Sequence, residues 1–312
     1  MKRAFFTSVL ALGVLAVAAD ASAFCRSTTC RSTGAKECKT DENGCPTDGE
    51  KLFWTSRCIS YAVNELGTQA SDPADTREVI KKTFQAWSDV PCGKDGKGGA
   101  ASMTFQEREP VACKKSEYKK EAPNLNVILF QDDDWKYRGI DGTLAKTSVT
   151  YNDETGEIYD ADIEINAANN KVTITDDPRK VEYDLQAIMT HEVGHFIGVA
   201  HSSESSAVMF ASYSPGSTAQ RKLTDDDAAA VCAIYPPGSD AECNVEPRGG
   251  FSGTCEVAED KGGPCSVSTI GVLEGTNKGS GGNIASFAML GVGVLAAVRL
   301  SRRSNRLRRR SS

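Results

Sequence analysis

Histidine is almost missing from this chain: three residues in 312, all between His191 and His201. The rest of the sequence therefore has no histidine for a zinc finger or a pH-sensing cluster, and no C-x-x-C pair suggests one either. Apolar runs are short as well. The first extends from about Val9 to Ala19 and the last from Ile284 to Val298, both below the roughly 20 residues of a full membrane span. Positive charge is in deficit, with a formal net charge of −6 that becomes −13 without the seven arginines between Arg299 and Arg310. Such an acidic body disfavours nucleic acid and anionic lipid as partners. No internal repeat is evident, which excludes a solenoid.

What is present first describes an exported protein. Lys2 and Arg3, the short apolar run and Ala21-Ser22-Ala23 make a secretory signal over residues 1–23, with Phe24 as the expected mature N-terminus. All eleven cysteines follow that cut, as expected for an oxidising destination. Five disulfides at most leave one thiol over. Residues 24–50 read as a cysteine-held extension and 51–237 as one domain with a real core. Residues 238–283 read as a Cys-, Gly- and Ser-rich stalk, 284–300 as a hydrophobic anchor or sorting segment, and 301–312 as an arginine-rich tail. A polybasic end after an apolar run is retained on the cytoplasmic side of a membrane, so a membrane or cell-surface attachment is expected there. This order of linker, apolar run and arginine cluster resembles the C-terminal sorting tails of myxobacterial surface proteins, although their usual preceding cysteine is missing.

Within the domain, patterning gives a strand region over Leu52–Leu66 and an amphipathic helix over Asp75–Val90 capped by Asp75. Short strands follow over Ser102–Glu107 and Leu125–Phe130, then a hairpin of Leu144–Tyr151 with Glu157–Asn166. In its second strand Asp160, Asp162 and Glu164 alternate with Ala161, Ile163 and Ile165. These carboxylates, like Asp132-Asp133-Asp134, are a candidate calcium site, with a solvated face as the preferred reading. Helices are expected over Asp184–Phe196 and Thr224–Ile234, the latter capped by Thr224 with Asp225 to Asp227 matching its dipole.

The chemistry sits in His191-Glu192-Val193-Gly194-His195-Phe196-Ile197-Gly198-Val199-Ala200-His201. Four residues apart on a helix, His191 and His195 share a face. Glu192 lies beside them as a base rather than a ligand. Gly198 can end the helix, letting the chain return with His201 as third ligand. Three nitrogens leave a fourth position open, as a catalytic zinc requires.

The motif resembles that of the metzincin metallopeptidases. Met209 matches their Met-turn methionine, and Ala207-Val208-Met209-Phe210 with Tyr213 resembles the matrixin subfamily, where that tyrosine lines the substrate pocket. Phe210 and Ala211 stand where a Tyr-Pro pair is usual. The resemblance covers most of residues 51–237 and implies an α+β fold: a twisted, mostly parallel sheet with one antiparallel edge strand, an active-site helix and a C-terminal helix. It also implies a zinc endopeptidase acting on protein or peptide substrates, with Glu192 as general base and His191, His195 and His201 as ligands. The extended peptide would pair along the outward edge near Thr143 to Val149. With no other histidine, a second structural zinc is absent and zinc is limited to one per chain. No cysteine-switch propeptide is present, and Cys92 is expected to pair with Cys113. A surface binding or adhesion module that has lost its chemistry is the alternative function.

Overall fold

A computed structural model describes residues 23–32, 37–93, 97–137, 143–253 and 266–275. The expected signal sequence, the hydrophobic segment, the arginine tail and much of the stalk lie outside these residues. Alternating and continuous apolar runs build a five-strand sheet in the order β3–β2–β4–β6–β5. The strands are β2 (Cys58–Val63), β3 (Thr104–Glu107), β4 (Val127–Gln131), β5 (Thr143–Tyr151) and β6 (Ile158–Asn166). All neighbours run parallel except β5, which is antiparallel to β6. This is the α+β sheet implied by the motif.

One face of the sheet carries two helices, α1 (Pro73–Ser88) and α2 (Leu185–Phe196). Val79, Ile80, Phe84 and Trp87 make the buried face of α1, each worth about 1.5–3 kcal/mol when removed from water. The Trp87 indole N–H donates to the Thr190 carbonyl at 2.9 Å, tying the two helices together. The cap of α1 is Asp72, not Asp75: its carboxylate accepts the Ala74 N–H at 2.8 Å. Pro73 supplies the reason, since a proline at the first helical position is preset for helix and has no N–H to satisfy. The last helix, α3 (Asp225–Ile234), begins at Thr224 with a capping box closed by Asp227.

The other face of the sheet departs from the expected solvated surface. Asp160, Asp162 and Glu164 are buried, because the chain from Ser116 to Asn126 and Lys136-Tyr137 fold over them. Asp162 accepts the Val127 and Glu117 N–H groups. Glu164 accepts from Ser116, Gln131 and Tyr137 and pairs with Lys136 at 3.0 Å. Burial pushes the Asp160 carboxyl well above its ordinary range, and the neighbouring Asp162 adds to this. Asp132 is occupied too, accepting the Thr68 hydroxyl at 2.7 Å.

Both flanking segments dock on the domain. β1 (Cys25–Arg26) pairs with β9 (Val199–Ala200), and disulfides Cys25–Cys45 and Cys30–Cys38 hold the loop around it. Residues 238–253, expected to start a stalk, run back along the domain. Cys243 is bonded to Cys58, the Ser60 hydroxyl donates to the Val245 carbonyl, and Phe251 packs beside Val111 and Leu125. The disulfide expected between Cys92 and Cys113 does not form. Cys92, just after α1, is bonded to Cys232 on α3. Proximity in sequence misled here, because α3 returns from 140 residues away to lie against the end of α1. Cys113 is disulfide-bonded elsewhere.

Beyond β5 the sheet does not stop. β11 (Ser266–Gly275) pairs antiparallel with β5, and β10 (Ser212–Tyr213) pairs parallel with β11. The Gly- and Ser-containing stretch that reads as stalk thus contributes a strand beside α2.

Candidate metal and catalytic site

Asp184 starts α2 by accepting the Ala187 N–H at 2.8 Å. Arg221 grips the same carboxylate with two nitrogens at 2.9 and 2.6 Å, which fixes the entry angle of the helix that follows. Over the next three turns α2 places His191 and His195 on one side, with ring centroids 4.7 Å apart. After Phe196 the helix stops. Gly198 has φ +93°, and a Cβ there would stand 2.7 Å from the Leu52 carbonyl oxygen. Only glycine fits that turn without strain. β9 then carries His201 back, 5.2 and 4.9 Å by ring centroid from His191 and His195.

Each helix histidine is oriented from behind. Nδ1–H of His191 donates to the Val208 carbonyl at 2.7 Å, and that of His195 to the Val199 carbonyl at 2.9 Å. A carbonyl oxygen can only accept, so both Nε2 atoms are unprotonated. They lie 3.1 Å apart. Two lone pairs at that separation have no proton between them, and a cation is the group that satisfies both. Tetrahedral zinc with nitrogen ligands at about 2.0–2.1 Å sets neighbouring nitrogens at about 3.3 Å. One ligand atom from each of the three histidines can be chosen so that all lie within 4.8 Å of one another, and this is the sole group of that kind among the described residues. Burial, reinforced by the nearby His201, holds the His191 imidazole down at about 3, and His195 is lowered well below its usual value by burial and both other histidines. The rings are neutral at neutral pH, which is the ligand form. The residues present fit a zinc ion.

Glu192 is fully buried beside the middle of β5. The Thr147 hydroxyl donates to its Oε2. This contact has no signature in the sequence, since threonine in a strand is ordinary.

Met209 lies under the metal-facing turn of α2. A Cβ at Gly194 would meet the Met209 sulfur at 2.2 Å and the Trp87 ring at 3.0 Å, so the glycine between the two histidines is the space the methionine fills. Gly194→Ala is expected to lower stability by about 1–3 kcal/mol through overpacking, read as a fall in the thermal midpoint of the zinc-loaded protein. The methionine turn itself is held by Asp227, whose carboxylate accepts the Val208 and Met209 N–H groups at 2.9 and 3.1 Å. Ser202 completes the turn by donating its N–H to the Met209 carbonyl at 2.8 Å. Its hydroxyl reaches Asp226 at 2.6 Å, and Asp226 also accepts the Ala23 and Phe24 N–H groups.

Tyr213 is buried in β10, beside the strand that flanks β5. Its hydroxyl donates to the Ser217 carbonyl at 2.6 Å and accepts the Asp184 N–H at 3.0 Å. Burial pushes its phenol up to about 12. The structure thus brings His191, Glu192, His195, His201 and Met209 together, with Tyr213 on the short strand β10 that follows the methionine turn. Sequence reasoning missed Thr147, Asp184, Arg221 and the separate role of Asp227.

Comparison with known proteins matches residues 53–236 to the matrixin peptidase family. Among curated proteins the chain is similar to metalloendoproteinase 1-MMP of Arabidopsis thaliana, with 28% identity over 194 residues, 60% of this chain and 45% of that one. It is similar to human matrix metalloproteinase-16 at 26% identity, covering 59% of this chain and 27% of the relative. A third relative is the interstitial collagenase of Bos taurus, 26% identical, covering 68% and 38%. The chain spans less than half the length of these relatives.

Proposed function

The chain belongs to the matrixin family, and from that premise we propose that it is an exported zinc endopeptidase that hydrolyses peptide bonds with Glu192 as general base. The observation that carries this reading is the pair of unprotonated Nε2 atoms facing each other, one residue and one turn from a buried glutamate. Zinc, when bound, acidifies a water and polarises a carbonyl oxygen. The protein's own groups do the rest. The Val208 and Val199 carbonyls hold the imidazoles in the ligand tautomer. Glu192 Oε1 and Oε2 are the sites that take the proton from the attacking water and return it to the leaving amine. The Thr147 hydroxyl fixes the carboxylate against β5, the strand along which substrate pairs in this reading. The disulfides fit an oxidising compartment, in keeping with export through the N-terminal signal. Cell-surface attachment belongs to the C-terminal segment.

The test is metal content together with peptide cleavage. Purified protein is expected to hold one zinc per chain and to cut a mixed peptide library, and a chelator is expected to abolish cleavage until zinc is restored. A chain loaded with one zinc that cuts nothing, both with residues 266–275 seated on β5 and with that strand disrupted, would overturn the reading.

A further inference from the structure

The edge of β5 that an extended substrate would use is already filled from within the chain. β11 pairs with it from Ser266 to Glu274, Val267 opposite Thr150, Gly271 opposite Thr147 and Leu273 opposite Ala145. On its far side it pairs with β10, Glu274 opposite Ser212 and Gly275 opposite Tyr213. Because Thr147 donates to Glu192, the register sets residues 271–273 beside the general base. Pairing is irregular on both sides of that triplet, between Thr269 and Gly271 and between Leu273 and Glu274. Such irregularities re-aim a strand locally and weaken its hold. The burial of the site agrees with a filled cleft. His191, Glu192 and His195 have no exposed surface.

We propose that residues 266–275 are a built-in peptide ligand of the cleft, which keeps the protein latent and shows the class of peptide that it accepts. The proposal rests on the endopeptidase reading of the site. The strand runs antiparallel to β5, so that class is extended peptide held through its main chain. The tether explains why so plain a strand suffices. Only residues 254–265 separate it from Gly253, and a short linker holds a ligand at an effective concentration on the order of millimolar. A free substrate must exceed that competition. Latency in this chain thus needs no N-terminal cysteine switch.

The experiment uses the full chain carrying Glu192→Ala, so that no self-cleavage occurs, with Val272→Pro or Leu273→Pro added. Neighbouring residues of a strand direct their N–H groups to opposite edges, so one of the two prolines removes a bond towards β5 whichever residue faces it, and both impose the proline φ on the strand. A fluorescent synthetic peptide copying residues 266–275 is expected to bind each proline variant about tenfold or more tightly than the parent. Hydrogen exchange of the Thr143–Tyr151 amides is expected to accelerate in both variants and to slow again on adding the peptide. The exchange measured on the parent guards against a misfolded variant: in the intact chain the outward β5 amides are expected to be protected with no ligand added. Freely exchanging outward amides in the parent, or equal peptide affinity in parent and folded variants, overturns the proposal. Neither readout needs catalysis, and a zinc-loaded chain with Glu192 intact that cuts no peptide even when it carries Val272→Pro or Leu273→Pro overturns the functional reading alone.

Discussion

Glu192→Ala is expected to keep one zinc per chain and to lose peptide cleavage by about a hundred- to ten-thousand-fold, the range of a positioned acid–base group. The ligands explain why metal should stay. The Val208 and Val199 carbonyls set the imidazole orientations, and none of these bonds passes through Glu192. The loss should fall on kcat, because the glutamate acts on protons in the transition state and not on substrate binding. Removing its carboxylate leaves the Thr147 hydroxyl with the main-chain carbonyl of residue 192, which it already meets at 3.2 Å. Thr147→Val therefore makes the companion variant, with zinc retained and kcat lowered less than by Glu192→Ala. Steady-state kinetics with metal analysis on both proteins checks this. Undiminished kcat in Glu192→Ala would remove the base from the mechanism.

Asp227→Ala is expected to cost about 3–5 kcal/mol, the scale for breaking a buried charged hydrogen-bond network. The carboxylate is fully buried and serves four donors: the N–H groups of Val208, Met209 and Thr224, and the Thr224 hydroxyl. Alanine would leave the buried Val208 and Met209 N–H groups, and the part-buried Thr224 donors, without this acceptor. The Val208 carbonyl that orients His191 lies in the same turn, so zinc affinity should fall along with the melting temperature. Asp225→Ala supplies the contrast. Asp225 is exposed in the first turn of α3, where it contributes only to the helix dipole, about 0.3–1 kcal/mol. Thermal denaturation and zinc titration of the two variants distinguish them. Equal behaviour would mean that the methionine turn does not depend on Asp227.

Those two aspartates show how much of the site was legible. Asp225, Asp226 and Asp227 read alike as first-turn acids. In space one is solvated, one accepts the N–H groups of Ala23 and Phe24, and one braces the methionine turn. Thr147 was illegible for the same reason, since its bond to Glu192 spans 45 residues. Gly194, by contrast, sat in plain view, yet its purpose appears only when Met209 is seen beneath it. The carboxylates of β6 were misjudged as solvated because alternation specifies two faces of a strand but not what covers the second. Cys92 was misassigned because pairing depends on which elements return to the end of α1.

The sequence alone determined the helices, the main strands of the five-strand sheet and the candidate ligand set. Helical spacing puts His191 and His195 on one face, Gly198 permits the turn to His201, and the alternation of β6 puts its apolar residues towards the core. These are local consequences of backbone geometry, with periods of 3.6 and 2 residues. The tertiary structure decided everything that joins distant segments: the grip of Arg221 on Asp184, the bracing of Met209 by Asp227, the Cys92–Cys232 bond, and the seating of residues 266–275 along β5. No local period encodes these contacts. They exist because burying one sheet and three helices around a common core brings those residues within bonding distance.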